Sequence, residues 1–519
     1  MQVEAGFLVR AAAQSFGSRV ALTAGPRNLT FTELNEVSNR VGSALVDLGV
    51  ARGDRVGVLA YNTPEVVQTW FGCEKHNLVR VVLHSHFSME DHVLSLNEVE
   101  ATALVFDTRF SSDVELHKDE LKTVRQFVGI GADCPDWATP FAQLESGGSA
   151  EDPYLDVDED APCFLQLTSG TTGHPKAWVK TYRSWQAVID HNLHHFDTFG
   201  PGVPPVGPDD VNLHFHPIQW ASGFQTLYPY YVRGARSVLL DDEIFHPGVL
   251  LDTIASEQVT GVLMPGPLLT PVLDEIEARG GFAHKLRRMV VFFSNPDQLD
   301  RTTRLLGPIW AHGFGSTEQG AITTRLLPHE VEERRERIKS VGRSGSPFLE
   351  VAVVDEQGTR LGAGQVGEIV VRSAKSLGGY WAWPERNAQS FFPGDWFRPY
   401  DVGFLDEDGF LYYVGRRDTM IKSSGYRISP TEVEEVLFQT GKLRQAAVIG
   451  VPDEVLGQSI KAFLVAKNGE PLDCEAVRTF CAEKVPRYMV PKHFEVLNEL
   501  PKTSSGKVDY PALRRREGL

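Results

Sequence analysis

The residues best suited to chemistry lie in segment 164–180, which reads FLQLTSGTTGHPKAWVK. Its apolar start, Phe164 to Leu167, predicts a strand. The chain then changes abruptly to small polar residues, namely Thr168, Ser169, Gly170, Thr171, Thr172 and Gly173. Glycine lets the backbone approach a ligand, hydroxyl and N–H groups can donate to phosphate oxygens, and Lys176 adds a mobile positive charge. The segment predicts a phosphate-binding loop, with a polar surface turn as the alternative.

This loop differs from the P-loop of nucleoside triphosphatases. The P-loop has the pattern G-x-x-x-x-G-K-[ST] and a helix that starts directly after the lysine. Here the two glycines are three residues apart and Pro175 precedes Lys176. If the loop binds a phosphate, it does so with a different backbone.

A second candidate site is the glycine-rich turn GFGSTE at 313–318, which ends in Glu318. A lone carboxylate in such a place is usually a helix cap or a surface charge. Beside a phosphate loop it becomes a candidate ligand of Mg²⁺, which prefers oxygen ligands. Three histidines, His191, His194 and His195, could share one helical face, but no cysteine or carboxylate stands at a matching spacing, so a metal site there is not favoured.

Composition restricts the class of protein. A chain of 519 residues is too long for one core, so two or more domains are expected. A net charge of −17 argues against a nucleic-acid partner. Five scattered cysteines predict free thiols in a reducing cytoplasm. The N-terminal segment does not read as a signal peptide, and no run of ~18 apolar residues predicts a membrane span.

The elements that must position these residues alternate between short apolar strands, such as Arg55 to Leu59, and helices, such as one from Thr32 as N-cap to Leu48. This order predicts an α/β fold of mostly parallel sheets with flanking helices. Residues 349–414 contain short strands between glycine and aspartate turns, which predicts a β-rich subdomain. Ser429 starts a helix in the last hundred residues. We predict an N-terminal domain at 1–416 and a small α+β domain at 417–519.

The motif S-G-T-T-G-x-P-K closely resembles the signature of the adenylate-forming superfamily, which includes acyl- and aryl-CoA ligases, adenylation domains and beetle luciferases. The resemblance runs from about residue 20 to 515. It implies ATP and AMP, Mg²⁺ and coenzyme A as ligands, and a mobile C-terminal domain. It also implies that Lys507, in PKTSSGK at 501–507, enters the active site and binds the substrate carboxylate and the α-phosphate.

The resemblance implies further roles. Glu318 would bind the metal together with Thr172, and Phe314 would stack on adenine. Gly315, Thr317, Ser294 and Asn295 would join the loop residues 168–173 and Lys176 around the nucleotide. The segment WFRPYDVGFLDEDGFLYYVGRRD at 396–418 resembles the ribose and hinge region. There Asp401 would bind the ribose hydroxyls, Arg416 would support the sugar and Asp418 would be the hinge, while Lys422 and Gly425 would line the pantetheine tunnel.

This chain departs from the family pattern at four places. Ala177 and bulky Trp178 follow Lys176 where the family has glycine, and Tyr400 replaces the glycine before the ribose aspartate. Both changes lie near the nucleotide and bring the adenylation half-reaction into question. The sequence Phe293-Ser294-Asn295-Pro296 replaces Gly-Gly-Ala-Pro, and Trp220 takes the usual pocket position. With Gln219, Gly223, Phe292 and Phe293, Trp220 would line a pocket for a bulky apolar acid.

Three functions follow. The main hypothesis is an acyl-CoA ligase that activates a carboxylic acid with ATP and transfers the acyl group to CoA or to a carrier-protein phosphopantetheine. The alternative keeps the fold but has weak or lost adenylation and takes a preformed acyl-adenylate. The third is a non-catalytic binding protein, against which the joint presence of Lys176, Glu318, Asp401 and Lys507 argues.

Overall fold

The computed structural model describes residues 1–168, 176–241, 243–320, 322–373, 377–417, 419–423, 426–467, 471–502 and 508–519. In chain order, the strands are β1 Gln2–Glu4, β2 Val20–Ala24, β3 Arg27–Thr30, β4 Arg55–Leu59, β5 Val79–Val82, β6 Ala103–Asp107, β7 Gln126–Ile130, β8 Thr139–Pro140, β9 Asp156–Asp158, β10 Pro162–Thr168, β11 Lys176–Thr181, β12 Val211–His214, β13 Arg236–Leu239, β14 Gly261–Pro265, β15 Arg288–Phe292, β16 Trp310–Phe314, β17 Thr324–Leu326, β18 Leu349–Val354, β19 Gly367–Ser373, β20 Gly379–Tyr380, β21 Phe391–Phe392, β22 Trp396–Phe397, β23 Asp401–Leu405, β24 Leu411–Arg416, β25 Ile421–Ser423, β26 Tyr426–Ile428, β27 Leu443–Asp453, β28 Gly457–Ala466 and β29 His493–Val496.

The helices are α1 Phe7–Phe16, α2 Phe31–Asp47, α3 Pro64–Lys75, α4 Met89–Glu98, α5 Ser111–His117, α6 Phe141–Gly147, α7 Tyr182–Asp197, α8 Ala221–Tyr231, α9 Pro247–Ser256, α10 Gly266–Ala278, α11 Pro296–Leu306, α12 Pro328–Glu333, α13 Pro384–Ser390, α14 Pro430–Phe438, α15 Cys474–Lys484 and α16 Tyr510–Arg516.

The chain divides into two compact units. The first contains Met1–Val351 and Val371–Phe397, and the second contains Ala352–Val370 and Arg398–Leu519. The second unit therefore contains just over half of the predicted β-rich segment 349–414 as well as the last hundred residues. The predicted boundary at 416/417 separates domains that move relative to each other, whereas these units are defined by their compactness. The boundary therefore stays a prediction.

Two mostly parallel sheets organise the first unit. One has the strand order β20–β11–β10–β5–β4–β6–β7–β8, and the other has the order β17–β16–β15–β14–β12–β13–β2–β3. The strands β4, β5 and β6 are almost entirely buried, as expected for parallel strands that are covered by helices on both faces. This arrangement confirms the predicted fold class.

The predicted phosphate loop connects two antiparallel strands of the first sheet. Strand β11 runs back beside β10, and Lys176 lies opposite Thr168 in the register. In the second sheet β15 and β16 are parallel neighbours, with Phe292 opposite Gly313. The segments that follow them, 293–296 and 315–319, consequently leave the same edge of that sheet, where open α/β sheets bind their ligands.

The second unit contains an antiparallel strand pair, a further sheet and a core of its own. Strands β23 and β24 form an antiparallel pair, and a further sheet has the order β26–β25–β28–β27 with β29 beside β28. The apolar residues of α14, α15, β27 and β28 pack together in one cluster. The Ser429 side chain accepts a hydrogen bond from the backbone N–H of Glu432, which confirms the predicted helix start.

One predicted helix start was wrong. Helix α2 begins after Thr30 rather than after Thr32, and the Thr30 side chain accepts from the N–H of Glu33. The Glu33 carboxylate accepts in return from the N–H of Thr30 at 2.8 Å, which completes a capping box. The residue three positions after Thr32 is Asn35, whose Oδ1 accepts a hydrogen bond from Lys75 Nζ instead.

The cysteines are in the state that the sequence predicts. All five cysteines lie in the described part of the chain and are free thiols. The cytoplasmic location that they suggest stays a prediction. Within the described ranges, no helix is both long enough and apolar enough to cross a bilayer.

Candidate active site

Strand β11 carries two lysines and a tryptophan on one face. Side chains alternate along a strand, so Lys176, Trp178 and Lys180 point to the same side of the sheet. Lys176 is only 8% exposed, and its Nζ lies 5.2 Å from the ring centroid of Trp383. Lys180 is fully buried. Both lysines therefore belong to the protein interior at one edge of the sheet, not to its solvated surface.

Trp178 lies in an aromatic cluster, although the sequence suggested that its bulk could intrude on the phosphates. Its ring contacts Tyr380 and Phe397 with centroid distances of 4.8 and 5.1 Å, and Phe391 at 6.4 Å. Its Nε1 donates to the carbonyl oxygen of Leu377 at 2.9 Å. The ring is fully buried, so it serves packing within the first unit. Ala177 is 3% exposed and packs in the core on the other face of the strand.

Glu318 lies on a loop that hydrogen bonds hold in shape. The N–H of Ser316 donates to Gln319 Oε1 at 2.8 Å, and the hydroxyl of Thr323 donates to the same oxygen at 2.6 Å. The Tyr380 hydroxyl donates to Glu318 Oε1 at 3.3 Å. Lys180 Nζ donates to the backbone carbonyl of Glu318 at 2.7 Å. The carboxylate is thus held near β11 by one contact to its side chain and one to its backbone.

The charges around Glu318 favour an anionic ligand. Burial and the nearby Arg386 guanidinium lower the pKa of Lys176, while Glu318 opposes this shift. Burial lowers the pKa of Lys180 to about 7, again against the field of Glu318. Arg386 itself lies 5.8 Å from the Tyr380 ring centroid. Arg386 thus sits close enough to Lys176 to disfavour the charge of this lysine, and a polyphosphate anion would relieve that repulsion.

The residues that replace Gly-Gly-Ala-Pro follow β15. Phe293 has a φ of 59°, in the left-handed region that favours glycine, and 70% of it is exposed. Asn295 caps helix α11, where its side chain accepts from the N–H of Gln298 at 2.9 Å. The Ser294 hydroxyl oxygen is buried and has no hydrogen-bond partner among the described residues. Phe314, Gly315 and Thr317 are partly exposed in the neighbouring segment.

The predicted acid pocket contains aromatic rings that are accessible. Trp220 precedes helix α8 and is partly exposed, with its ring centroid 6.3 Å from that of His216 and 6.0 Å from that of His84. Phe292 is also partly exposed. Burial lowers the pKa of His216 to about 4, so this imidazole is neutral at pH 7. These rings give the site an aromatic, uncharged character.

Two other residues predicted for the acid pocket lie against the protein backbone. Gln219 is fully buried, and its Nε2 donates to the Val58 carbonyl at 3.0 Å. Gly223 lies in the first turn of α8, where a Cβ would come within 2.0 Å of the Ile218 carbonyl oxygen. A glycine is needed there because the backbone passes too close for any side chain. The structure thus gives both residues a role in shaping the start of α8.

The ribose residues lie together in the second unit. Asp401 is 7% exposed and is the cross-strand partner of Arg416 in the β23–β24 pair. Tyr400, directly before Asp401, has a φ of 63°, and its ring centroid lies 5.5 Å from the Arg398 guanidinium and 4.9 Å from that of Arg417. The backbone conformation that a glycine would adopt before the aspartate is therefore kept by a tyrosine.

The roles of several other predicted residues stay predictions. The Lys422 side chain is exposed, and its N–H donates to Gln458 Oε1 at 2.7 Å. Thr168 is described only as the last residue of β10. Outside the described residues lie Ser169, Gly170, Thr171, Thr172, Gly173, Asp418, Gly425 and Lys507.

The three histidines of α7 do not form a metal site. His191 Nε2 lies 2.6 Å from the Ile322 carbonyl oxygen and 3.0 Å from His195 Nε2. His194 Nε2 lies 2.6 Å from the Gly345 carbonyl oxygen. Across the residues that the structure describes, no group of three or more His, Cys, Asp or Glu side chains could hold a metal ion.

Sequence reasoning missed four residues around Glu318 and Lys176, namely Lys180, Tyr380, Trp383 and Arg386. For Lys180 a signal was present in the spacing, because it stands four positions after Lys176, and residues four apart in a strand share one face. The other three come from a segment two hundred residues later, and no spacing in the sequence links them to the loop. They could be found only from the pairing of β20 with β11.

Comparisons with known proteins agree with this geometry. The family profile described as AMP-binding enzyme matches residues 9–381, and its C-terminal domain profile matches residues 432–507. The chain belongs to the AMP-binding enzyme family. It is 28% identical to a crotonobetaine/carnitine–CoA ligase of Salmonella paratyphi C, over 93% of this chain and 92% of the relative.

Other relatives carry different acids in their names. The chain is 28% identical to the medium/long-chain fatty-acid–CoA ligase FadD8 of Mycobacterium tuberculosis, over 98% of this chain and 90% of that one. The crystal structure of the anthranilate CoA ligase AuaEII with anthranoyl-AMP has a TM-score of 0.88 and 25% identity, covering 99% of this chain and 97% of the other. The predicted superfamily, fold class and enzyme class, an AMP-forming acid–thiol ligase, are confirmed.

Proposed function

We propose that this AMP-binding enzyme converts a bulky, largely apolar carboxylic acid to its CoA thioester. In the first half-reaction the acid's carboxylate attacks the α-phosphorus of ATP, and pyrophosphate leaves as acyl-adenylate forms. In the second, the CoA thiolate attacks the acyl carbon, and AMP leaves with the bonding electron pair. The observation that carries the proposal is the meeting of Lys176 at the start of β11, Glu318 in the segment after β16 and Arg386 on α13, which suits a triphosphate.

The residues in this cluster have separate tasks. Lys176 and Arg386 would offset the charge of the phosphates, and such preorganised charges are worth ~10²–10³ in rate. Glu318 offers Mg²⁺ one carboxylate, and Mg²⁺ commonly takes one or two protein carboxylates, with phosphate oxygens and waters completing its shell. A metal bound there would neutralise charge on the leaving pyrophosphate. The buried Ser294 hydroxyl adds a polar atom for the nucleotide.

The departures from the family pattern favour the full ligase over the form with lost adenylation. Phe293 and Tyr400 keep φ values of 59° and 63°, so the backbone retains a glycine-like path at both places. Trp178 packs within the first unit's aromatic cluster. A residue with a Cβ is strained at both φ values, which supports the proposal that a binding surface requires this backbone path.

The acid class rests on the partly exposed rings of Trp220 and Phe292 and on the neutral imidazole of His216. Aromatic faces and an uncharged ring suit an acid with an aromatic or alicyclic acyl group better than an acid whose acyl group carries a charge. CoA is the proposed acceptor. A phosphopantetheine on a carrier protein is the alternative, and a comparison of free CoA with a loaded carrier protein separates them.

The test compares the two half-reactions in Glu318→Gln and in wild type, across aromatic, alicyclic and long-chain acids. Glutamine keeps an oxygen for the Tyr380 hydroxyl but removes the charge. ATP–pyrophosphate exchange should fall by ~10²-fold, as for loss of one preorganised charge. Thioester formation from supplied acyl-adenylate and CoA should persist.

Glu98→Gln is the matched control, because Glu98 also raises the pKa of Lys176 but lies on α4. It should leave exchange within about twofold of wild type if Glu318 acts by direct contact rather than by its field. Wild type that never exchanges pyrophosphate but captures supplied adenylate would establish the restricted function. Binding of AMP without either half-reaction would establish a binding protein.

A further inference from the structure

Lys180 is a fully buried lysine whose ammonium group joins two separate segments. Its Nζ donates to the Glu318 carbonyl at 2.7 Å and to the Leu377 carbonyl at 3.0 Å. The fit around it is tight, because a Cβ on Gly320, which has a φ of 67°, would lie 2.9 Å from both Cε and Nζ of Lys180. The loop that carries Glu318 is thus packed directly against this side chain.

A buried ammonium group is an expensive way to stabilise a fold. Moving a charge out of water costs several kcal/mol even after relaxation, and an apolar side chain of similar size would usually pack as well. The neighbours on this face of β11 are aromatic and apolar, and they include Trp178 and Tyr380. A general packing need therefore does not account for a lysine at this position.

One of the two bonds of Lys180 is duplicated and the other is specific. The Leu377 carbonyl also accepts from Trp178 Nε1 at 2.9 Å, so it keeps a donor without Lys180. The bond to the Glu318 carbonyl reaches the one residue of the loop that carries the carboxylate. Because Lys176 and Lys180 stand on the same strand, this bond sets the distance between the loop and the phosphate-side lysine.

We infer that Lys180 is a positioning residue for adenylation: through the Glu318 carbonyl it fixes loop 315–319, and thereby the Glu318 carboxylate, relative to Lys176. This inference rests on the proposed function. Lys180 itself touches backbone carbonyls and not the substrate. Without it, the carboxylate should keep its charge but lose its fixed place, so metal-dependent phosphate chemistry should suffer more than thioester formation.

The experiment compares Lys180→Met with Trp178→Phe in the full chain. Methionine is one atom shorter than lysine, keeps most of its bulk and loses both hydrogen bonds, whereas phenylalanine removes the duplicate bond to Leu377 and leaves the Glu318 bond intact. The first readout is hydrogen exchange of the amides of Ser316, Gly320 and Thr323 in the free protein. We expect about tenfold faster exchange in Lys180→Met and no change in Trp178→Phe, since loss of a local anchor raises local opening.

The second readout is activity. Lys180→Met should lower ATP–pyrophosphate exchange and raise the Mg²⁺ concentration for half-maximal exchange by ~10–100-fold, the range seen when partners of metal ligands are removed. Thioester formation from supplied acyl-adenylate should stay within about twofold, and Lys180→Arg, which keeps charge and donors, should recover part of the exchange. Trp178→Phe should keep the wild-type Mg²⁺ dependence.

Two results would overturn the inference: equal loss of both half-reactions in Lys180→Met, or loop amides that exchange at the wild-type rate. If wild type shows no pyrophosphate exchange with any acid, the proposed function fails, while loop hydrogen exchange still decides whether Lys180 holds the loop. If Lys180→Met does not fold, Lys180→Gln replaces it and the same comparison applies.

Discussion

Two opposing contributions to stability act at Tyr400, the strain of its backbone and the packing of its ring. Substitutions of this residue can separate them. Its φ of 63° lies in the left-handed region, which costs a residue with a Cβ ~1–2 kcal/mol relative to its preferred conformation. Its ring lies against the guanidinium groups of Arg398 and Arg417, both of which bind Glu368. The tyrosine thus carries a cost in its backbone and a gain in its side chain.

The two terms predict an unusual order of stabilities. Tyr400→Ala loses two cation–π contacts, worth ~0.5–1 kcal/mol each, and keeps the strain. Tyr400→Gly loses the same contacts but saves ~1–2 kcal/mol of strain, and it then loses ~0.4–1 kcal/mol because glycine has a freer unfolded chain. The glycine variant should therefore be more stable than the alanine variant by about 1 kcal/mol.

Tyr412 provides the matched control. It lies on β24, stacks on Phe404 at a centroid distance of 4.8 Å, and is not among the residues with positive φ. There the order should reverse, with glycine less stable than alanine by ~0.5–1 kcal/mol. All nine tryptophans lie between residues 70 and 396, outside the second unit. Hydrogen exchange of residues 401–416 is consequently the better assay than fluorescence.

The reasoning is refuted if Tyr400→Ala is as stable as Tyr400→Gly, because the backbone strain would then be negligible. The same variants address the nucleotide. If the ring obstructs the ribose, both variants should raise ATP–pyrophosphate exchange. If the backbone path alone matters, exchange should follow the order of stabilities, and neither variant should exceed wild type.

Three further predictions concern the C-terminal region. Lys507→Ala should abolish or strongly lower acyl-adenylate formation and spare thioester formation from supplied adenylate, because a lysine on a mobile domain is present in one conformation only; equal loss in both assays would contradict this. Asp418→Pro should slow thioester formation far more than adenylation, since proline fixes φ near −65° at the predicted hinge; wild-type rates in both would place the hinge elsewhere. Burial raises the pKa of Glu434 to about 7, from an ordinary value of 4.5. The folded state therefore holds this proton more tightly, and the stability it contributes is complete below pH 4.5 and lost as the pH rises through 7. Glu434→Gln keeps an acceptor for the Val448 N–H and the Tyr510 hydroxyl, so protection of 443–466 in hydrogen exchange should lose part of its decline between pH 5 and 8; an unchanged decline would assign it to another group.

Local signals in the sequence were sufficient for most elements. Arg55 to Leu59 was predicted as a strand and is β4 with the same bounds, because its apolar run is short and ends at turn residues. The start of α14 at Ser429 followed from a side chain that reaches an amide three residues later. The start of α2 was missed by two residues because two threonines compete, and only Thr30 has a glutamate at the third position. Strand bounds and helix starts of this kind depend on residues that are close in sequence, so a single sequence contains the information that predicts them.

Trp178 shows where this information ends. From the sequence it stands two residues after the phosphate-side lysine, and its bulk looked like an obstacle to ATP. The register of β10 and β11 places it on the face that segment 377–397 covers, and its indole donates to Leu377, 199 residues away. No local pattern predicts that contact. Once it is known, the case for lost adenylation rests on Tyr400, the other departure near the nucleotide. The φ of Tyr400, 63°, lies in the left-handed region that favours glycine, which supports the proposal that adenylation is retained.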